Sequence, residues 1–516
     1  MAITISLWQS CLHRSAASAW GVIVVTLILP QRSSAADWTF VPTLRLRESY
    51  SDNIRLATPE FATSDLVSEV SPGITVTGNS SRLKMTMAYA IQKLIYQHEP
   101  DTLNHQLHGD AKAELLDDLL FVDARASIGK QSLSAFGQQT IDNTHLIGNQ
   151  STVKATSISP YLTHFVRGFA TAELRYAHDS VRSGDFLSAT TDQVLLKLIG
   201  DNGGRGWNWD AHVEQRKIDD NTIAPVTMTS GSLTLRTPLT STIGVFSSAG
   251  YEKNDYTTNN STQPAGRFWS VGASWNPSSR TSVVASGGKR YFGNTYSLTA
   301  SYRGHNTVWN ASYNEDITTT YAQFLALSNN DTSALLNRLW MNSIPDPAAR
   351  QQVVDSFIRF SQLGGPNAGA VNYISHSFFL QKQLNMSMAA SSPRSTLVLN
   401  FARIQNTAQN RSEINNSLLG PNQMTVEDKT RQNGVNAAWS WRLSSRSNLN
   451  LTAVANSVDS LSSERKDKNV MLSAGMSRQF RSKVTGSMDL RHVRHTSNQG
   501  GNYRENGISA TLNFQF

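Results

Sequence analysis

The chain has 516 residues, of which 16% are charged and 39% hydrophobic, and its formal net charge is +8. So little charge, in a background rich in Ser, Thr, Asn and Gly, is unlike long soluble helices, whose exposed faces are usually rich in Glu and Lys. No interleaved basic and aromatic run is present, and the excess of positive charge is modest for this length. These features exclude a nucleic-acid-binding protein.

Residues 1–36 are typical of a cleaved signal peptide. An apolar core from Ala16 to Leu29 precedes the small residues Ser34-Ala35-Ala36, which offer a cleavage site before Asp37. The alternative is an uncleaved anchor helix, but the core is shorter than the ~20 residues that a spanning helix needs. Cys11 is the only cysteine and lies upstream of the core. The mature chain is therefore expected to have no disulfide and no cysteine-based metal site.

Strict alternation of apolar and polar residues dominates the chain from Phe40 to Phe516, and this is the period of a strand with two different faces. In Leu107–Leu115, for example, Leu, Gly and Ala alternate with His, Asp, Lys and Glu. Similar windows of about ten residues, the length of a tilted strand across a bilayer, recur along the chain. They include 83–91, 122–128, 170–176, 207–214, 243–251, 269–275, 296–302, 309–313, 435–441, 449–455, 470–476 and 484–490.

The connectors between these windows alternate in length. Short turns, such as Asp117-Asp118, are followed by longer polar stretches. The pattern predicts an all-β fold, a transmembrane antiparallel β-barrel of about 22 strands (range 16–22) over residues 37–516 in the cell outer membrane. The long connectors are expected at 129–151, 177–191, 252–267 and 404–432.

A soluble β-sandwich or solenoid is the alternative fold. Its apolar face would fill a shape-matched core of Val, Ile and Leu. Here the apolar face instead combines Tyr and Trp at strand ends, such as Tyr251 and Trp269, with small residues in mid-strand. Lipid tolerates that variety, and Trp and Tyr prefer the headgroup boundary. The barrel is therefore favoured.

The final strand ends the chain on an aromatic residue. Ile508, Ala510, Leu512, Phe514 and Phe516 alternate with polar residues. This arrangement resembles the signal read by the outer-membrane barrel-assembly machinery. Phe514 and Phe516 are therefore interpreted as an assembly signal, and that machinery and membrane lipid are the expected partners.

The sequence contains no pattern typical of an active site. Metal-ligand spacings such as His-x-x-x-His, a Gly-x-Ser-x-Gly elbow and a phosphate-binding glycine loop are not found. Asp117-Asp118 lies at a predicted tight turn, and His492 and His495 are interpreted as part of a solvated basic rim rather than a metal site. We expect no enzymatic activity and no cofactor.

The polar face of the strands carries more bases than acids, and a basic lumen would favour anionic solutes. The alternative is that these charges are paired internally, as in barrels generally. The residues interpreted as the basic lumen face are Arg45, Arg47, Arg82, Lys84, Lys112, Arg125, Arg175 and Arg216.

Residues 315–371 form a connector that is too long for a plain loop. Two short helices are predicted inside it, one capped by Asp331 or Ser333 and one beginning at Asp346-Pro347. With fifteen strands before it, this insert is expected on the extracellular side. It would constrict the lumen, cover its mouth, bind a partner, or pack on itself as a surface hairpin. The apolar residues of the candidate constriction are Leu335, Leu339, Trp340, Val353, Val354 and Phe357.

Five motifs resemble the outer-membrane β-barrel family associated with exosortase/PEP-CTERM systems of Gram-negative bacteria. They are Trp38 with Pro42, Glu48-Ser49-Tyr50-Ser51-Asp52-Asn53-Ile54, Val70-Ser71-Pro72-Gly73-Ile74, Trp275-Asn276-Pro277-Ser278-Ser279-Arg280-Thr281 and Arg290-Tyr291-Phe292-Gly293. The family is encoded near exopolysaccharide genes, so the resemblance implies an outer-membrane location and that context. It supplies no catalytic residue.

The function expected from the sequence is an outer-membrane pore or secretion-associated channel linked to exopolysaccharide export. Its partners would be an anionic polysaccharide or the export proteins. The alternative is a non-conducting structural or adhesin-like barrel. A ligand-gated transporter would need a plug domain before the first strand, and strand-like sequence starts almost at the expected cleavage site.

Overall fold

The computed structural model describes residues 37–516 except 141, 185, 201–205, 257–263, 327–336, 338–372 and 411–427. The expected signal peptide, 1–36, lies outside the described residues. Among the described residues, no helix is both long enough and apolar enough to cross a membrane.

The described part of the chain forms one 22-stranded antiparallel sheet that closes on itself. Each strand pairs with its neighbours in sequence, and β1 also pairs with β22 from Thr43↔Gln515 to Ser51↔Gly507. The predicted 22-stranded barrel is therefore confirmed. The strands are β1 (Asp37–Ser51), β2 (Asp65–Asn79), β3 (Leu83–Tyr96), β4 (Thr102–Leu116), β5 (Leu120–Ser132), β6 (Gln150–Val166), β7 (Ala170–Ser183), β8 (Leu187–Gly200), β9 (Asn208–Asp220), β10 (Val226–Pro238), β11 (Ile243–Asn254), β12 (Ala265–Ser278), β13 (Thr281–Arg290), β14 (Gly293–Arg303), β15 (Thr307–Thr319), β16 (Phe378–Ser391), β17 (Ser395–Ala408), β18 (Lys429–Ser444), β19 (Ser447–Ser460), β20 (Lys466–Arg481), β21 (Val484–Ser497) and β22 (Tyr503–Gln515). A 3-10 helix (Pro59–Phe61) follows β1, and a short helix, α1 (Thr320–Ala326), follows β15.

The outer surface of the barrel is apolar and carries aromatic residues near both ends of the strands. Trp269 and Tyr296 lie towards one end, and Trp275 and Tyr302 towards the other, each about half exposed in the absence of lipid. A closed sheet satisfies its backbone polar groups internally, which is the condition for crossing a bilayer with strands. Together with the aromatic girdles, this places the protein in the outer membrane.

The two rims of the barrel differ as expected. The start of β1, the end of β22 and turns of only a few residues lie at one rim, which is therefore periplasmic. The longer loops lie at the other, extracellular rim. The long connector expected at 177–191 is wrong, because β7 and β8 extend to Ser183 and Leu187 and leave only a three-residue turn. The connector expected at 129–151 is shorter as well, because pairing continues to Ser132↔Gln150.

The insert begins later than predicted. β15 continues to Thr319, so residues 315–319 are wall and not loop, and the insert runs from 320 to 377. It does follow fifteen strands. The predicted helices and all six candidate constriction residues, Leu335, Leu339, Trp340, Val353, Val354 and Phe357, lie outside the described residues.

The C-terminal aromatic residues lie on the closing strand. Phe514 pairs with Leu44 across the β1–β22 closure, and the backbone N–H of Phe516 donates to the Pro42 carbonyl at 3.0 Å while its side chain stays 62% exposed. An exposed ring contributes little to packing, so its role in assembly can be separated from stability.

If Phe516 is part of an assembly signal, as its position predicts, we expect the Phe516→Asp variant to assemble several-fold less efficiently than the parent. The measurement is the amount of heat-modifiable barrel in outer-membrane fractions. Phe480→Asp, which alters an exposed aromatic ring elsewhere on the surface, is the control. Equal assembly of Phe516→Asp and the parent contradicts the assembly-signal interpretation.

Candidate functional site

The structure distributes the eight predicted lumen bases among four environments. Arg47, Arg175 and Arg216 form ion pairs inside the barrel, with Asp142, with Asp123 and Glu173, and with Glu214, respectively. Arg45 donates to Asn513. Arg82 does not lie on a strand. It is in the β2–β3 turn and pairs with Asp117 of the β4–β5 turn, so its assignment to the lumen face was wrong.

The remaining three bases form a patch on neighbouring strands near the periplasmic rim. Lys84 on β3 is the register partner of Lys112 on β4, and Arg125 lies on β5. Among the described residues, Lys84 and Arg125 take part in no ion pair, and the Lys112 ammonium lies 5.8 Å from the centre of the Tyr161 ring. We call Lys84, Lys112 and Arg125 the basic vestibule.

Above this vestibule, residues 133–149 fold into the barrel instead of projecting from it. We call this segment, which joins β5 and β6, the lumen loop. Leu146 packs against Ile54, Val67 and Leu94 beside the first three strands, and Ile147 packs against a second group that includes Met471 and Val493 on β20 and β21. Since β5 and β6 lie away from both groups in the strand order, the lumen loop crosses the interior.

Charged groups hold the lumen loop to the wall. The Asp142 carboxylate accepts from the guanidinium of Arg491 at 2.7 Å and from that of Arg47 at 3.2 Å. His145 lies 3.3 Å from Asp142 and 3.4 Å from Glu505, and Arg491 also donates to Glu505 at 2.8 Å. We call these five residues the Asp142 cluster. All are largely buried, and Glu505 is inaccessible.

The surroundings shift the pKa values of the two loop groups in opposite directions. Burial alone would raise the pKa of Asp142, but Arg491, a hydrogen bond from His145 and Arg47 together hold it well below its ordinary value. Burial alone would lower the pKa of His145, yet its hydrogen bonds to Asp142 and Glu505 raise it. Each shift favours the charged form of its group, and in these forms the two side chains attract each other.

The two ends of the insert also turn inward. Tyr321 and Phe324 of α1 are buried in an apolar cluster with residues of β6 to β10, such as Val181 and Ile218. The Tyr321 hydroxyl donates to Asp220 on β9, and His376 lies 2.9 Å from the same carboxylate. The described ends of the insert are thus anchored to the inner wall.

The lumen loop and the insert meet inside the barrel. Tyr373 forms an isolated parallel bridge with Ser132 at the base of the lumen loop. Its ring packs edge-on against Phe379, and both rings lie in one cluster with Phe136 of the loop and Val458 on β19. The extracellular half of the lumen therefore holds the lumen loop and the described ends of the insert, in contact with each other.

The inward fold of the lumen loop was not predicted from the sequence, which placed the candidate constriction in the insert instead. The connector contains several large apolar residues, Leu133, Phe136 and the adjacent pair Leu146 and Ile147, which is the signal that was available. In an exposed loop these side chains would lie in water, whereas burying each one stabilises the fold by about 1.5–3 kcal/mol.

Other predicted polar features have structural roles. Asp117 pairs with Arg82, and Asp118 takes a φ of 53°, both within the predicted turn. His492 bonds to Asn506, but His495 is not on a solvated rim, because its ring is buried and stacked 4.8 Å from the Tyr503 ring. Among the described residues, no group of three or more His, Cys, Asp or Glu side chains could hold a metal ion.

Comparison with known proteins gives likeness only at the level of the barrel. No family model matches the sequence, and no curated protein is similar to it in sequence. Among solved structures, the apoprotein form of the FrpB iron transporter from Neisseria meningitidis (F5-1 variant) is 9% identical, with 92% of this chain and 81% of that chain covered and a TM-score of 0.49. The siderophore receptor PirA from Acinetobacter baumannii is 8% identical, with 92% and 80% covered and a TM-score of 0.47. Likeness this distant does not indicate which ligand or solute this barrel binds.

Proposed function

We propose that this outer-membrane barrel is a gated channel for anionic solutes, with the lumen loop as its constriction. The observation that supports it best is the basic vestibule: three bases on neighbouring strands near the periplasmic rim, two of them outside any ion pair among the described residues. Asp110 and Asp123 are the register partners of Arg125 and Lys112 but form no ion pair with them among the described residues. Positive charge in a concave wall raises the local concentration of anions. Above the vestibule, the lumen loop is held partly by ion pairs, which can break and re-form.

The finer proposal is that the solute is an anionic exopolysaccharide that leaves the cell through this barrel. The motif resemblance to exosortase/PEP-CTERM-associated barrels supports it, and so does the position of the vestibule on the side where an exported polymer enters. A non-conducting structural or adhesin-like barrel is the alternative, and the presence of the lumen loop and the described ends of the insert in the lumen favours it.

Purified barrel in planar bilayers under a KCl gradient tests the channel. We expect a reversal potential that indicates chloride selectivity, and a shift of at least twofold in the chloride-to-potassium permeability ratio towards unity in the triple variant Lys84→Gln, Lys112→Gln and Arg125→Gln. Arg82→Gln, which removes a base already paired with Asp117 at the rim, is the matched control.

The polysaccharide is tested in the same bilayers. A soluble polyuronate on the periplasmic side should block the current, whereas neutral dextran of equal length should not, because only the former binds the vestibule. Equal block by the two polymers rejects the anionic polymer. A folded barrel that shows no current, even after removal of the lumen loop, supports the structural alternative.

A further inference from the structure

The wall of the barrel is incomplete at one place. Backbone pairing between β14 and β15 starts at Arg303↔Val308 near the periplasmic rim and ends at Leu298↔Tyr313. Continued in the same register, it would join Gly293–Ser297 to residues 314–318, but these segments form no ladder with each other. We call this interval the seam. It lies at the level of Tyr296, in the extracellular aromatic girdle.

The upper ends of β15 and β16 turn inward at the seam. By strand alternation, Ile317 lies on the same face of β15 as Trp309, and Phe378 lies on the same face of β16 as Met386. Trp309 and Met386 face lipid. Yet Ile317 and Phe378 are buried in an apolar cluster, where the Phe378 ring stacks 4.7 Å from that of Tyr256. The face that contacts lipid lower in the wall is therefore covered by protein at the top, and the edge of β15 lies inside that of β14.

Side chains replace the missing backbone bonds. Arg290, at the end of β13, donates to Asp316 of β15 at 2.7 Å and to Glu252 of β11 at 2.6 Å. Asp316 is 61% exposed, so this contact across the seam competes with water and is readily broken.

A cavity of about 370 Å³ lies at the seam. Most of its lining comes from β9 to β13, and Thr295, Tyr296 and Ser297 of β14 with Asp316 and Ile317 of β15 form the end at the seam. Trp269 and Tyr296, both about half exposed on the lipid-facing surface, are part of its lining. The cavity therefore lies against the wall at the level of the extracellular aromatic girdle.

The lining indicates the chemistry of a ligand. Its charged residues are already paired, Arg216 with Glu214 and Arg290 with Glu252 and Asp316. With three acids against two bases, the cavity does not suit a phosphate or carboxylate. Its other polar groups are mostly hydroxyls, which complement a hydroxyl-bearing, uncharged head. They are those of Ser230, Ser270, Ser286, Thr295 and Ser297, beside His212 and Asn254.

We propose that the seam is a lateral portal that binds a glycolipid of the outer leaflet, with its sugar head in the cavity and its apolar chain beside Tyr296 and Trp269. The portal is independent of conduction along the barrel axis. Absence of conduction would therefore not contradict the portal, whereas a closed seam would contradict the portal and leave the channel proposal unaffected.

Cysteine pairs test whether the wall is open. Ser297→Cys with Asn314→Cys would be register partners if the ladder continued. Ser301→Cys with Asn310→Cys is the matched control, because those residues are partners in the observed ladder and the offset of four residues preserves the type of pair. Under mild oxidation in lipid nanodiscs, we expect at least tenfold less disulfide in the seam pair. Equal oxidation overturns the portal.

A quenching experiment tests the ligand. A bimane fluorophore on Ser230→Cys, in the cavity, is compared with one on Asn456→Cys, which also faces the lumen four residues below the extracellular end of its strand, on the opposite wall. We expect an alkyl maltoside with a nitroxide on its chain to quench the first at least threefold more strongly. An alkyl phosphate of the same chain should quench both weakly. Equal quenching at the two positions overturns the portal, and equal quenching by the two probes overturns the sugar preference.

Discussion

Replacing Leu133–Asn149 by an Asn-Gly turn should raise the single-channel conductance several-fold. The interior of a 22-stranded barrel is wide enough for water unless protein fills it, and the lumen loop crosses the extracellular half of that interior. The barrel should still fold, because Ser132 and Gln150 are register partners and a two-residue turn of this type joins such strands without strain.

Two controls make the result specific to the lumen loop. Heat-modifiable mobility on gels shows that the shortened chain forms a barrel. The same Asn-Gly turn in place of Gln97–Asp101, which joins β3 and β4 at the same rim, shortens a loop that does not cross the interior and should leave conductance unchanged. Unchanged conductance after removal of the lumen loop would mean that it does not limit passage.

The strands could be predicted from the sequence because the lipid-facing and lumen-facing positions differ in polarity at every residue. Alternation fixes the face of a residue without any knowledge of its partners, so the window 207–214, for example, was found, as β9. The boundaries were less certain. Glu315 and Ile317 continue the period of β15, but their proximity to a long insert led to their assignment as loop.

The candidate site was largely beyond sequence reasoning, since it depends on contacts between distant residues. Arg47 and Arg491 lie at opposite ends of the chain, and only barrel closure brings both to Asp142. The seam left one sequence signal, because Asn314, Glu315 and Asp316 are consecutive polar residues and Glu315 falls in the period of the lipid-facing Trp309. That signal does not show that β14 and β15 separate. Polarity patterns report which face a residue occupies and not which strand lies beside it.

The Asp142 cluster gives the second large expected effect. In the Asp142→Ala variant, Arg47 and Arg491 lose their ion pairs with the lumen loop, and Arg491 keeps its contact with His145 and keeps Glu505 as its remaining carboxylate. Removing one partner of a buried ion pair costs on the order of 3–5 kcal/mol, and about 1.4 kcal/mol changes a population tenfold. We therefore expect the fraction of time in a high-conductance state to rise at least tenfold. Lys93→Ala, which breaks the exposed Lys93–Asp101 pair, should leave it unchanged.

The same cluster predicts how the channel responds to pH. Because the pKa of His145 is raised, its contribution to holding the lumen loop is complete below the ordinary histidine value of about 6.5 and is lost as pH rises through the raised value. Because the pKa of Asp142 is lowered, its contribution is present above the ordinary aspartate value of about 3.9 and is lost only when pH falls through the lowered one. The open fraction should thus be lowest in mildly acidic solution and rise on the alkaline side, in recordings with equal pH on both faces of the bilayer. His145→Gln keeps a hydrogen-bonding side chain but cannot titrate, so it should remove the alkaline rise. If His145→Gln shows the same alkaline rise as the parent, another group controls the opening, and His145 does not hold the loop by its charge.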